Sequence, residues 1–522
     1  MTPPDRSPQD WATLVARQEQ QIASLTAKVE WYEGQLRRAA QQRFGASHER
    51  SDARQLALFN EAEATATPAL ASATETITYD RKKKTPGQRD AQLAHLPVER
   101  RVYDLPEAER SCDVCQHPLH VMSTEVRREL AVIPAQVKVI EHVQQVYSCR
   151  TCEREALTTP IKTAPMPQPV YPGSLASPSL LADVLHQKFT EGLPLYRQEQ
   201  EWARQGVTLS RQTLANWVIY AAHEWLRPLY GQLQMVLRRR DIVHADETTV
   251  QVLQEDGRTA QQKSYMWLYR TGREAPGVVL YEYQPTRSGT HPKAFLKGFA
   301  GYLQVDGYPG YHDVPDVILV GCWSHARRKF TDALKSLPTG QRDGPSLVRE
   351  GLEFCNRLFA IERDLRDATS EERERARRAR SRPVLAQFLR WLRAQRSIAL
   401  PKTPLGQAVT YCLNQWLPLT NFLKDGRLEI DNNRSERSIK PFVIGRKNFL
   451  FMKTPRGAQA SAIVYSIVET AKENGLNPRA YLQYLFEQLP NRDRKDPAFW
   501  DDLLPWSPAL PTALKIPVPQ KV

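Results

Sequence analysis

The chain of 522 residues carries 72 Lys and Arg against 58 Asp and Glu, a balance of +14. An excess of that size favours a polyanionic partner, nucleic acid first, with a plain solubility charge as the alternative. No apolar run approaches a bilayer span and the first ten residues are polar and proline-rich. Together with seven cysteines, an odd number, this predicts a cytoplasmic, reducing setting and no membrane partner.

Residues 1–60 read as two amphipathic helices. In the first, Trp11, Val15, Gln18, Ile22, Leu25, Val29, Tyr32 and Leu36 alternate steps of four and three. That spacing fits a coiled-coil seam and hence a homo-oligomer, a parallel dimer first, or a single helix packed on its own chain. Residues 61–100 have linker composition and hold the cluster Arg81, Lys82, Lys83 and Lys84, which is either solvated or laid on a phosphate backbone.

Residues 101–165 contain Cys112-x-x-Cys115 and Cys149-x-x-Cys152. Each pair makes a tight turn offering two thiolates, and two turns complete a closed tetrahedral site, so the spacing predicts structural zinc. Between the pairs, Val137, Val139, Ile140, Val143, Val146 and Tyr147 suit a strand or hairpin. His117 and His142 are spare ligands or bystanders.

Residues 166–237 open on a proline-rich connector and continue as helix. A helix at 195–202, a turn at Gly206 and a second helix capped by Ser210 match a helix-turn-helix, or any helical hairpin. On the DNA-binding reading, Arg211, Gln212 and Asn216 face bases or phosphates.

Residues 238–330 turn strand-like. Strands are predicted at 241–246, 264–270, 277–283, 302–307 and 317–322, with a short helix at 292–299, a mixed α/β pattern. Asp246 and Asp306 each end a strand, where a sheet presents side chains to a common crevice, although strand-end aspartates also serve as turn-formers. Residues 331–425 are helical and rich in Arg and Glu, an insertion into the strand-rich fold. Residues 426–490 resume that fold, and 491–522 form a tail with no clear pattern. In the resumed part a helix begins at Asp431, a good N-cap, and Pro441 should end it. On that helix Asn432 and Glu436 share one face, and Arg434 and Arg437 form another, free to meet an anion.

Asp246, Asp306 and Glu436 are hard oxygen ligands suited to Mg²⁺ or Mn²⁺. Two such ions support an in-line displacement at phosphorus, and Arg327, Arg328, Lys329, Arg437, Arg446 and Lys447 supply cations for the phosphates. Two other readings stand beside this one: a non-catalytic, zinc-containing DNA-binding regulator, and a structure-selective nuclease.

Several motifs in order resemble those of the insertion-sequence-66 family of bacterial transposases. They are Asp246-Glu247-Thr248, Asp306-Gly307-Tyr308-x-x-Tyr311, the run from Gly321 to Phe330, Asp431-Asn432-Asn433-x-x-Glu436-Arg437 and Gly445-Arg446-Lys447-Asn448. The resemblance extends to the heptad helix, the four-cysteine unit and the helix around Glu469, and so covers nearly the whole chain. It implies a ribonuclease-H-like core with an Asp-Asp-Glu triad at Asp246, Asp306 and Glu436. It further implies cleavage of double-stranded DNA at element ends, joining to a target, small accessory proteins, and a bacterial, nucleoid-associated location. Cys322 and His325 are similar to a Cys-x-x-His motif of several transposase families. They read as active-site support or as a buried cysteine with a satisfied histidine. Asn432 and Asn433 read as positioning residues. One departure is that His117 and Pro118 stand where a Gly-rich knuckle turn is expected.

Overall fold

The computed structural model describes residues 137–148 and 161–517, apart from 275, 339–341 and 343, together with Gln18. The heptad seam apart from Gln18, the basic cluster at 81–84, Cys112, Cys115, Cys149, Cys152 and His117 lie outside the described residues. Pro169–Ile516 belongs to one unit and the described residues from 137 to 168 to another. In the latter, β1 (Val146–Ser148) pairs antiparallel with β2 (Ile161–Thr163). The strand expected across 137–147 is therefore only three residues long. Residues 137–145 form no strand, and Val139 and Val143 are exposed.

The larger unit starts with helices whose ends the sequence writes locally. In α1 (Pro178–Phe189) the Ser177 side chain accepts the Leu180 N–H, and proline sits at the first position, where no N–H is needed. Helix α2 (Leu195–Arg204) stops before Gly206, whose φ of +78° suits glycine. Ser210 then caps α3 (Arg211–Tyr220) through the Thr213 N–H. One π-turn, Ala221–Leu226, leads into α4 (Arg227–Arg238).

Five strands follow: β3 (Ile242–Gln251), β4 (Lys263–Thr271), β5 (Val279–Gln284), β6 (Gly301–Gln304) and β7 (Val317–Val320), with α5 (Thr290–Phe295) before β6. Their order in the sheet is β5-β4-β3-β6-β7. The first three are antiparallel neighbours, while β6 and β7 run parallel to β3. Strand β3 continues to Gln251, so Asp246 lies mid-strand and not at its end. The β-branched run Thr248, Thr249, Val250 keeps the chain extended and β4 pairs along its whole length. Strand β6 is shorter and stops opposite His244.

Between sheet and return lie α6 (Trp323–Ser336), α7 (Leu347–Asp364), α8 (Ser370–Ala376), α9 (Arg382–Ile398), α10 (Pro404–Asn414) and α11 (Trp416–Thr420). They bury a cluster of their own around Trp323, Phe330, Phe388 and Phe422. One arginine holds its loops. Arg377 is fully buried, pairs with Glu362 at 2.7 Å and donates to the carbonyls of Phe422, Asp425 and Leu428.

The chain returns as α12 (Asn433–Phe449), α13 (Pro455–Glu473), α14 (Pro478–Gln488) and α15 (Pro497–Leu503). Helix α13 guards the sheet edge. Thr470 Oγ1 accepts the Val279 N–H and donates to its carbonyl, and Ser466 Oγ accepts the Tyr281 N–H at 2.7 Å, satisfying outward groups of β5. Pro441 does not end α12, as expected from sequence, but sits inside it. The ring removes only the N–H that would have met the Arg437 carbonyl, one turn back at an exposed position of the helix. The tail beyond 490, unreadable in sequence, joins the main core. Phe499, Leu503, Leu510 and Leu514 are buried, and Tyr481 donates to the Leu503 carbonyl at 2.5 Å.

Candidate active site and its neighbours

Parallel pairing matches Ile242, Val243 and His244 to Tyr302, Leu303 and Gln304. Continuing that register past the end of β6 brings Asp306 level with Asp246 on the adjacent strand. Residues 244, 246 and 248 share one face of β3 by the two-residue period. Helix α12 lies along that face. Asn432, just before it, reaches His244 and Ala245, and Arg446 near its end reaches Thr248 and Thr249. Glu436, in the first turn, is thereby directed at the Asp246 and Asp306 level.

Electrostatics give the same proximity. Burial pushes the Asp246 carboxyl well above the usual carboxylate range, and the negative charges of Glu247, Asp306 and Glu436 push it further. Glu436 Oε1 is buried without a hydrogen-bond partner, and so is His325 Nδ1, 3.9 Å away. Cys322 Sγ, His325 and Glu436 bring donor atoms within 4.8 Å of one another. Burial lowers the His325 pKa, favouring neutral imidazole, and pushes the Cys322 thiol up to about 12. Cys322 Sγ accepts the Asn432 N–H at 3.2 Å, so as a neutral thiol it holds the start of α12.

Asn432, read from sequence as a positioning residue, anchors α12 together with Gln304, which sequence reading missed. Asn432 is fully buried; its amide donates to the Ala245 carbonyl at 2.8 Å, and its oxygen accepts from Ser435 and lies 3.1 Å from His244 Nδ1. Since that oxygen is an acceptor, the imidazole proton belongs on Nδ1. Gln304, two residues before Asp306 and also fully buried, donates 2.7 Å bonds to the carbonyls of Glu429 and Asp431. Strand β6 thus fixes the segment that carries Glu436. A glutamine inside the apolar run Tyr302 to Val305 is the available signal, since a buried amide must be paired.

Asp431 caps differently from expectation. Its carboxylate accepts the N–H and side-chain amide of Asn433 and the Ser324 hydroxyl, while Asn432 occupies the cap position without a side-chain cap bond. Arg434 is not free for an anion, because it pairs with Glu429 at 2.8 Å. Burial alone would raise the Glu429 carboxyl, but His244, Arg434 and Arg273 outweigh it and hold it at about 2.

Asp306 Oδ1 accepts the Tyr308 N–H at 2.9 Å, and its carbonyl accepts from the Tyr411 hydroxyl of α10 at 2.8 Å. Glu247 points away from Asp246 and takes the Tyr311 hydroxyl at 2.6 Å and Arg287 Nε at 2.7 Å. Burial raises its carboxyl, only partly opposed by Tyr311 and Arg287.

Among the predicted cations, Arg328 stands 3.9 Å from Glu436 and is largely exposed, and Arg437 is exposed on α12. Lys329 lies 5.9 Å over the Tyr411 ring. Arg327 turns to Asn356 in the insertion at 2.8 Å. Arg446 is half-buried against β3, and Lys447 is exposed. Arg211, Gln212 and Asn216 are exposed on α3, with Arg211 5.9 Å over the Tyr196 ring.

The class these features define is a mixed α/β protein with a five-stranded sheet, a buried carboxyl on β3 and Arg328 near Glu436. The model described as "Transposase IS66 family" matches residues 173–460, and the chain belongs to that family. Further matches are the zinc-finger binding domain of transposase IS66 at 109–153, the IS66 C-terminal element at 466–506, and "Transposase C of IS166 homeodomain" at 31–101. The zinc-finger match contains all four cysteines of the paired motif. Two similar proteins of Sinorhizobium fredii (strain NBRC 101917 / NGR234) are the uncharacterized proteins y4jD and y4hP. The first is 33% identical over 430 residues, 79% of this chain and 80% of the relative. The second is 29% identical over 466 residues, 86% of this chain and 81% of the relative. Family membership points to transposition, a DNA partner, bound zinc and a divalent metal. Among the described residues no helix is long and apolar enough to cross a membrane.

Proposed function

We propose that the protein cleaves the ends of its own element and joins them to target DNA, with Asp246, Asp306 and Glu436 as the catalytic carboxylates. The supporting observation is that the Asp246 carboxyl on β3 is pushed up by the charges of Asp306, in the loop after β6, and Glu436, in the first turn of α12, with a buried, unpartnered oxygen on Glu436. The strand order, three antiparallel strands followed by two parallel to the first, supports a ribonuclease-H-like core.

The donor set fits divalent cations. Crowded carboxylates and an orphaned oxygen are costly without positive charge, and hard oxygens suit Mg²⁺ or Mn²⁺. Asp246, Asp306 and Glu436 would hold two such ions, which when bound activate the attacking oxygen and neutralise the leaving one. The remaining roles fall to side chains. Arg328 and Arg437 stand beside Glu436 to take phosphate oxygens. Cys322, Asn432 and Gln304 hold α12 so that Glu436 keeps its place between the strands. The attacking oxygen, from water in cleavage and from a DNA 3′-hydroxyl in joining, gives up its proton to solvent water as the P–O bond forms. The opposite P–O bond breaks, and its oxygen leaves in line. Cys112, Cys115, Cys149 and Cys152 would hold structural zinc. The N-terminal heptad would pair two copies, and Arg211, Gln212 and Asn216 would contact the element end.

The test uses short duplexes tiled across the DNA that borders the gene. The Asp306→Asn variant should bind these duplexes with unchanged affinity and lose Mg²⁺-dependent nicking by about two to three orders of magnitude, the scale of a transition-state charge contact removed. Nicking that persists in this variant, or its absence in the parent on every duplex, would sink the reading. Joining to a second duplex separates a transposase from a nuclease.

A further inference from the structure

The loop that leaves α12 is built against its own comfort. Leu450 has φ +63° and ψ −56°, and the Phe451 N–H donates to the Phe449 carbonyl at 2.7 Å. This is a γ-turn of positive φ, rare and strained for a residue with a β-carbon. It persists because both flanks are pinned. The Leu450 N–H donates to the Arg446 carbonyl at 2.7 Å. Beyond the turn, Met452 exchanges backbone bonds of 2.9 and 3.0 Å with Gln251 and Leu253, and Lys453 accepts from Gln254.

The pinned turn holds two apolar side chains in solvent. Leu450 is 65% exposed and Phe451 46%, and Ile444, on the open side of α12, is 42% exposed. The chain segment that carries them is cationic. From residue 437 to 468 the chain contains Arg437, Lys440, Arg446, Lys447, Lys453 and Arg456 and no Asp or Glu. An apolar patch alone would leave that rim without counter-charge. A DNA duplex offers phosphates for the cations and a base stack for the apolar tip.

We infer that Leu450 and Phe451 form an apolar wedge that enters DNA, unstacks one base step and bends the duplex leading to the cleavage site. The inference rests on the reading of this protein as a DNA-cleaving transposase. Position follows from the fold. Fourteen helical residues from Glu436, or six strand residues from Asp246 to the Val252–Met452 bridge, each span ~20 Å. At ~3.4 Å per base pair the wedge meets DNA about six base pairs from the phosphate at Asp246, on the order of half a helical turn. Flexible pyrimidine–purine steps at that distance should be favoured.

The experiment places 2-aminopurine at successive positions in the tiled duplexes and follows fluorescence on binding the full-length protein without divalent ions, so that nothing is cut. The expected result is a several-fold rise confined to a position about six base pairs from the bond later found to be cleaved. The Leu450→Ala/Phe451→Ala variant should lose the rise while keeping salt-dependent affinity within a few-fold. Leu450→Gly separates wedge from scaffold: glycine is at ease at positive φ, so its melting temperature should equal or exceed the parent's while the fluorescence signal falls. Binding with no rise at any position, or a rise intact in the double variant, overturns the inference. So does a double variant that changes only the oligomeric mass, since a second copy would then be the occupant. A rise without Mg²⁺-dependent nicking leaves the wedge standing and removes the cleavage reading.

Discussion

At the scale of single residues, the candidate site depends on buried polar groups that are not themselves acidic. Asn432 and Gln304 each satisfy two backbone carbonyls or side chains across elements, so an aliphatic replacement would strand buried acceptors at about 1–3 kcal/mol each. His244 is the group whose pH behaviour is most exposed to test. Burial pushes it down to about 4, with Glu429 pulling up and Arg270 down, from the ordinary 6.5. The unfolded chain takes up the proton first, so this contribution to stability is complete above pH 6.5 and shrinks as pH falls toward 4. The loss over that window should be about 3 kcal/mol. Urea midpoints measured across the range should show the slope, and His244→Gln should flatten it whatever its effect at neutral pH. An unchanged slope would mean that another group titrates there.

At the scale of elements, α12 is the piece on which the site turns. It is fastened at its start by Asn432 and Cys322, runs through Pro441, and is pressed on α13 at Gly445. A β-carbon at Gly445 would overlap the Tyr465 hydroxyl. That ring has no room to retreat, with Phe189 at 5.0 Å and Tyr281 and Phe442 both at 5.5 Å. Gly445→Ala should therefore destabilise the fold by about 1–3 kcal/mol through overpacking, read as a fall in melting temperature. The companion Tyr465→Phe, which removes the overlapped oxygen, should recover part of that loss.

At the scale of the whole molecule, a net charge of +14 and a zinc-finger match at 109–153 point to DNA and zinc as partners of one chain. Purified protein should carry about one zinc per chain, the stoichiometry of a closed four-cysteine site. Cys149→Ser should lose it by metal analysis while the core around Asp246 keeps its melting transition. DNA affinity should fall steeply with salt, since a cationic face binds phosphates by releasing counterions.

Local pattern determined much of this protein by itself. Ser177 and Ser210 announce helix starts because a cap is a contact within four residues, and Gly206 announces a turn because only its own φ is at stake. The mixed run of strands followed by a helical stretch was legible for the same reason. Asp246 was misplaced at a strand end because the length of β3 depends on β4 pairing along it. Pro441 was misread as a terminator because the helix is held on the sheet on both sides of it, by Asn432 at its start and Arg446 near its end. Only the tertiary structure decided that Asp306 stands level with Asp246, that Arg434 is spent on Glu429, and that a buried amide on β6 holds the helix of Glu436. Those facts are set by register and burial, which join residues far apart in the chain and leave no periodic trace along it.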